Sequence, residues 1–263
     1  MTAPPPHLPL TDRLRSWVVP GRFYLWDKLR RELSHGEPEM RLLPFLADPA
    51  RVSLDVGSFK GVYAYALIPH SAAVHAFEPN PSVYALLKRR LDGLAGKVVT
   101  HPIALSNVTG ASELRVPNRE RAFTHSRATL SEVAVTENFT STPIRTARLD
   151  DLGIMNVGFI KIDAEGFERF VLEGARATIA RDRPNMLIEL EERHTQVPLA
   201  EMVAFVCALG YECLVLLNGV LTPFATFAKV RDDGAAAGGK AAVNNFIFLP
   251  IGPYSSTTGG TSR

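Results

Sequence analysis

The 263-residue chain carries 29 Lys and Arg against 27 Asp and Glu, a formal net charge of +2, with 46% hydrophobic and 21% charged residues. That is ordinary globular composition, ample for a buried core, and the near-balance of charge gives no support to a nucleic-acid or anionic-membrane partner. Its two cysteines, Cys207 and Cys213, fit a reduced compartment better than a disulfide framework. The N-terminus has no signal-peptide core and no apolar run reaches the roughly 18 residues of a membrane span, so the expectation is a cytoplasmic protein.

Residues 1–50 read as an N-terminal helical extension. Met1 to about Pro20 is proline-rich and irregular, and Phe23, Trp26, Leu29 and Leu33 then recur at helical spacing in a segment running to Leu46, broken at Gly36–Pro38. Its plain role is to cap one side of the core; covering a substrate site is the other. From Arg51 short apolar runs alternate with helical patterns, which argues for a mainly parallel sheet with crossover helices. Arg51–Val56 is a strand, followed by a glycine-containing turn and a helix through Ala66. Ala73–Phe77 is a strand and Pro81–Leu91 its helix, with Val83, Leu86, Leu87 and Leu91 on one face. Lys97–Leu105 reads as a third strand with its exit loop. Ser112–Val116 and Ile144–Arg148 are extended segments flanking a polar insertion, Asn118–Ser141. Gly158–Ile162 is a strand, Phe167–Ile179 its helix, Met186–Leu190 a strand and Leu199–Leu209 a helix. Tyr211–Leu217 and Asn245–Leu249 close the sheet, Asp232–Lys240 is a loop rich in Gly and Ala, and residues 251–263 form a disordered tail.

Two spaced signals define a nucleotide site. The run Val52-Ser-Leu-Asp55-Val-Gly57-Ser58-Phe59-Lys60-Gly61 takes a strand into an acidic residue and two glycines, with a helix behind. Alone, such a turn is as readily explained by tight packing. Glu78, in His75-Ala-Phe-Glu-Pro79-Asn80-Pro81, ends the next strand about 20 residues beyond Gly57, the spacing at which a carboxylate accepts hydrogen bonds from ribose hydroxyls. A dinucleotide site usually has a second glycine two residues after the first, to admit the pyrophosphate; here that position is Phe59. Asp55 suits the ammonium of an amino-acid end, directly or through water, better than phosphates. These features favour S-adenosylmethionine over NAD.

The blocks Asp55–Gly61, Ala76–Pro81, Ala104-Leu-Ser-Asn107, Leu149-Asp-Asp-Leu152, Phe159-Ile-Lys-Ile-Asp-Ala-Glu-Gly166 with Glu168, and Val171-Leu-Glu-Gly-Ala175 occur in that order. Together they resemble the FkbM-type family of S-adenosylmethionine-dependent methyltransferases, from about Arg51 to Leu190, with Asn244–Phe248 similar to the family's last strand. The resemblance implies an α/β fold: the class I methyltransferase Rossmann-like sheet, mainly parallel, of seven core strands with helices on both faces. The N-terminal extension and an inserted loop or hairpin region would be added to it. It implies a methyltransferase domain over residues 51–250, S-adenosyl-L-methionine as cofactor, and O-methylation of a hydroxyl on a sugar, glycan or other small natural product. Carried over, Asp55, Gly57, Ser58, Gly61, Glu78, Pro79 and Asn80 line the cofactor, and Ala104, Leu105 and Ser106 lie near adenine. Ser58-Phe59-Lys60 departs from the family's more usual Ala-Asn-hydrophobic stretch, removing any contact made by that Asn side chain.

Acceptors in such sheets bind outside the carboxyl ends of the strands. Asp163 ends the fourth strand there, facing the cofactor's methyl, and a hydroxyl acceptor needs a base within hydrogen-bond reach. Asp163 and His194 are the candidate catalytic residues, with His125 a weaker third. Glu165, His125 and Arg127 are assigned to the acceptor, with the arginines of the polar insertion able to clamp a phosphate or carboxylate. Glu168 sits where a carboxylate favours a helix N-terminus. Asp163, Glu165, Glu189 and Glu191 could also gather around a cation, but their spacing is not that of a metal site, and none is assigned. Two other classes share some of these features: a glycosyltransferase, through Asp163-Ala-Glu165, and a nucleic-acid methyltransferase, through the cofactor site. The first leaves Glu78 unexplained. The second usually shows an Asn/Asp-Pro-Pro-aromatic run where this chain has Asp163-Ala-Glu-Gly.

Overall fold

The computed structural model describes residues 19–92, 94, 96–117, 139–195, 197–236 and 243–252. His125, Arg127 and most of the polar insertion lie outside the described residues, as do the first 18 residues and residues 253–263. The N-terminal segment forms α1 (Gly21–His35), a 3-10 turn over Pro38–Leu42 and a short α2 (Leu43–Leu46). The central unit begins with β1 (Val52–Val56), α3 (Val62–Leu67), β2 (Ala73–Phe77), α4 (Pro81–Leu91) and β3 (Val98–His101). A small second sheet follows, made of β4 (Ala104–Leu105), β5 (Gly110–Pro117) and β6 (Phe139–Ala147), in the order β4-β6-β5. Then come β7 (Val157–Ile162), α5 (Glu168–Glu173), α6 (Arg176–Asp182), β8 (Asn185–Glu189), α7 (Glu192–Thr195), α8 (Leu199–Cys207), β9 (Tyr211–Leu217), β10 (Val220–Pro223), α9 (Phe224–Ala236) and β11 (Asn245–Pro250).

The main sheet runs β10-β9-β11-β8-β7-β1-β2-β3. β3, β2, β1, β7 and β8 are mutually parallel, while β11 runs antiparallel to both β8 and β9. Those seven strands are the expected class I arrangement, and β10 adds an eighth by pairing antiparallel with β9. The β9–β10 turn is Asn218-Gly219 with φ of 50° and 80°, the left-handed pair that a two-residue hairpin turn demands. The chain order reverses between β1 and β7, which opens a crevice above the carboxyl ends of the strands.

Side chains alternate between two cores. Leu54, Val56, Phe77, Ile160, Ile162, Met186, Ile188, Phe246 and Phe248 pack on one face with α5, α6 and α8. Val74, Ala76, Phe159, Leu187 and Ile247 pack on the other with α3 and α4. Leu25, Met40, Leu43 and Leu46 belong to that second core, so the N-terminal segment is built into the fold. β7 is buried along its whole length because helices cover both faces. It shifts register against β1 at Gly158, where a Cβ would lie 2.7 Å from that of Arg51.

Four sequence expectations are corrected. Lys97–Leu105 is divided between two sheets, β3 in the large and β4 in the small. The second extended segment starts at Phe139 and pairs along its length with β5, so the insertion emerges from a hairpin. The helix expected over Phe167–Ile179 breaks at Gly174, where a Cβ would meet the Ser106 carbonyl at 1.9 Å. Asp150 then starts α6 by accepting from Ala177 N, Thr178 N and Thr178 Oγ1 at 3.1, 2.8 and 2.9 Å. The glycine-rich loop expected from Asp232 is still helical through Ala236, as the end of α9.

Candidate active site

Gly57 sets the geometry of the first turn. Its φ is 80°, and a Cβ there would stand 1.8 Å from the Asp163 carbonyl, so the ends of β1 and β7 can close together only over a glycine. Gly57 and Ser58 donate their N–H groups to Phe77 O at 3.1 and 2.9 Å, which ties the turn to the end of β2. Phe59 also lies in the left-handed region at φ 45°, an arrangement costly for a bulky residue and one that tends to mark functional sites. Its N–H reaches Glu78 Oε2 at 3.0 Å, while Asn80 N–H reaches Glu78 Oε1 at 2.8 Å. Burial drives the Glu78 carboxyl up to about 7 despite these two donors.

A cavity of about 300 Å³ opens over the carboxyl ends of β2, β1, β7 and β8. At one end Phe77, Ile103, Leu105 and Leu114 form an apolar wall beside Glu78 and Pro79; Leu114 comes from the small sheet. At the other end stand Asp163, Glu165, Glu189 and Glu37. Among the described residues no Lys or Arg lines it. Gly57, Glu78, Pro79, Ala104, Leu105, Asp163 and Glu165 therefore meet on one cavity.

Five other candidates do not line it. Asp55 is 2% exposed and its Oδ2 accepts the Ala64 N–H at 2.9 Å, with burial raising its pKa to about 6. That carboxylate secures the first turn of α3 and is not in the cavity wall. Ser58 Oγ donates to the Asp55 carbonyl at 2.7 Å. Gly61, with φ 85°, leaves room for Leu87 of α4, whose Cδ1 would lie 2.7 Å from a Cβ. Asn80 caps α4 by accepting from Ser82 N at 3.1 Å. Ser106 is buried, with its carbonyl against Gly174. These residues shape the site from behind.

Asp163 and Glu189 are adjacent. Burial first, and then the neighbouring Asp163 carboxylate, push the Glu189 pKa far above the usual carboxylate range. Glu165 takes a left-handed φ of 50°, and burial raises its pKa. Its Oε2 lies 3.0 Å from His194 Nδ1, which is also 3.3 Å from Glu191 Oε2. The Glu165 bond lifts the His194 pKa, and His194 itself is not on the cavity wall. Glu168 is buried, and its Oε1 accepts from Ala164 N and Gly166 N at 3.1 and 3.0 Å. It thereby shapes the loop bearing Asp163 and Glu165, with burial raising its pKa to about 7.

Two residues escaped the sequence reading. Lys161, the penultimate residue of β7, is 1% exposed. Its Nζ donates to Asn245 Oδ1 at 3.2 Å and lies 3.8 Å from Glu189 Oε2. Burial acts to lower its pKa, but nearby carboxylates, Asp163 foremost, outweigh that and raise it. The visible signal was a lysine inside an otherwise apolar strand. Glu37, from the turn after α1, accepts from Tyr63 OH at 2.5 Å and Asn245 Nδ2 at 3.1 Å. No local pattern marks it, because only the fold carries the extension to the sheet.

The domain model for the methyltransferase FkbM domain matches residues 55–213 of the chain, more than half of its length. No curated protein matches the chain. Among solved structures, an FkbM methyltransferase from Methylobacillus flagellatus is similar at 18% identity and a TM-score of 0.48, over 77% of this chain and 44% of that one. The chain thus spans less than half the length of that protein. TrmK from M. capricolum, bound to the cofactor product S-adenosylhomocysteine, is similar at 10% identity and a TM-score of 0.41, over 81% of this chain and 66% of that one. A TehB-like SAM-dependent methyltransferase from Corynebacterium glutamicum gives 12% identity and a TM-score of 0.44, over 88% and 97%.

Proposed function

The chain belongs to the FkbM methyltransferase family, and on that premise we propose that it methylates a hydroxyl of a sugar, glycan or other small natural product, with S-adenosyl-L-methionine as donor. The observation that carries this reading is the cavity shared by Glu78 with an apolar wall and by Asp163 beside Glu189. The residues present fit the cofactor. Glu78, pinned by two backbone donors, keeps lone pairs for the ribose hydroxyls, and Phe77, Ile103, Leu105 and Leu114 offer apolar contact to the base. When bound, the cofactor supplies an electrophilic methyl on a cationic sulfur.

The chain's own part is positioning and proton handling. Asp163 takes the proton of the acceptor hydroxyl, and Glu189, which burial and Asp163 keep in its protonated form, donates a hydrogen bond to hold the pair together. His194, bonded to Glu165 through Nδ1, acts as a positioning residue for the Glu165 carboxylate. This shifts the catalytic weight from His194, one of the two residues assigned by sequence, to Asp163. Among the described residues the cavity wall is rich in carboxylates, which supports a neutral polyhydroxyl acceptor over a phosphorylated one.

The test has two stages. Calorimetry should find S-adenosylmethionine binding that is lost in Glu78→Ala and absent for NAD. A screen of glycans and hydroxylated metabolites with methyl-labelled donor then supplies the acceptor. On it, Asp163→Asn should lower kcat by about 100-fold or more, the usual contribution of a positioned base. Unchanged turnover of Asp163→Asn at saturating acceptor refutes the assignment of the base.

A further inference from the structure

We propose that Glu37, supplied by the N-terminal extension, is a cofactor-binding residue that receives the ammonium of the cofactor's amino-acid end. This rests on the methyltransferase reading and goes beyond it, since both Glu37 and its partner Asn245 lie outside the matched residues 55–213. The sequence assigned the ammonium to Asp55. In the fold, the Asp55 carboxylate is buried against the Ala64 N–H and takes no part in the cavity wall. The amino-acid end therefore needs another anionic partner near the Gly57 turn.

Glu37 is in that place. It lines the cavity, and it is anchored from two elements at once: Tyr63 OH at the start of α3, immediately after the Gly57–Gly61 turn, and Asn245 Nδ2 at the start of β11. Both bonds fall on Oε2, so the side chain is oriented before any ligand arrives. Asn245 is in turn held by Lys161 Nζ through Oδ1. The buried lysine thus fixes the amide so that its Nδ2 faces Glu37. Glu78 stands at the end of β2 and the Glu37–Asn245 pair at β11, on opposite sides of the β1–β7 switch point. A ligand with ribose at one end and a cationic amine at the other matches that polarity. A carboxylate already oriented and partly withdrawn from water binds an ammonium more strongly than a mobile surface one.

The test uses calorimetry with S-adenosylmethionine, S-adenosylhomocysteine and an S-adenosylhomocysteine analogue lacking the α-amino group, on the full chain and on Glu37→Gln. Gln keeps an oxygen for the Tyr63 and Asn245 donors, so a thermal melt without ligand should be near that of the wild type. Glu37→Gln should weaken both amino-bearing ligands by a similar factor of about 10 or more, the usual worth of a hydrogen bond between charged groups. The des-amino analogue should bind wild type and variant alike. Equal binding of S-adenosylhomocysteine to wild type and Glu37→Gln overturns the proposal. So does a loss for S-adenosylmethionine alone, which would place Glu37 at the sulfonium, or a loss for all three ligands in equal measure. If Glu37→Gln does not fold, Glu37→Asp, which draws the charge back, should give a smaller loss again confined to the amino-bearing ligands; an unselective loss or none overturns the proposal. Failure of the wild type to bind any of the three refutes the methyltransferase reading itself.

Discussion

At the scale of single residues, the site depends on backbone conformations that few side chains tolerate. Gly57 at φ 80° lets the β1 and β7 ends meet, and Phe59 and Glu165 hold left-handed conformations on the cavity wall without being glycines. Gly57→Ala should cost more than about 2 kcal/mol, combining left-handed strain with a Cβ driven into the Asp163 carbonyl. Urea denaturation measures it, and a variant within experimental error of wild type would show that the turn can relax. Gly57 and Glu78 were marked in the sequence by their separation, and Asp163 by its place at the end of an apolar run. Asp55, Ser58, Gly61 and Asn80 were assigned to the cofactor by their place in the motifs, but their role depends on where their atoms point. The Asp55 carboxylate turns to Ala64 N and the Asn80 side chain to Ser82 N, which spacing does not reveal.

At the scale of elements, α1 is part of the core. Leu25 is fully buried, whereas Trp26 one position on is 53% exposed. Leu25→Ala should therefore destabilise the protein by about 2–5 kcal/mol, and Trp26→Ser by no more than about 0.5 kcal/mol. Equal effects in a chemical denaturation series would mean that α1 is not docked as described. The turn that follows it carries Glu37 into the cavity, so the packing of α1 and the chemistry of Glu37 are linked. The periodic apolar residues of α1 were visible in the sequence; its docking site was not, because an amphipathic helix states that it has an apolar face and not what will cover it. The β10 strand shows the opposite case. Asn218-Gly219 is a strong hairpin signal, but Val220–Pro223 is too short and exposed for its own pattern to reveal a strand.

At the scale of the whole molecule, several buried carboxyls lean on one another. Burial raises Glu78 and Glu168 to about 7 and Asp55 to about 6, against about 4 in an unfolded chain. The folded state then holds protons that the unfolded chain has released, so these groups make stability fall as pH rises through their folded values. His194, raised by its bond to Glu165, acts in the same direction. His75 and His101 are lowered by burial, His101 to about 4, and they oppose the trend only below about pH 6.5. The ligand-free protein should therefore melt several degrees higher at about pH 6.5 than at about pH 8, with the slope reduced in Glu78→Gln. A melting temperature that rises over that window contradicts it.

By itself the sequence determined the alternating α/β order, most strand positions and the residues at the ends of β1, β2 and β7. Those properties are local: they rest on periodicity, turn chemistry and the separation of Gly57 from Glu78, all of which survive in one dimension. Only the tertiary structure decided which carboxylates share the cavity. Glu37, Asp163 and Glu189 come from distant parts of the chain and are brought together by the strand order around the β1–β7 switch. It also decided that Lys161 would lie beneath them, bonded to Asn245 across the sheet. Burial and the distance between charges set the chemistry of such groups, and both come into being only when the sheet closes.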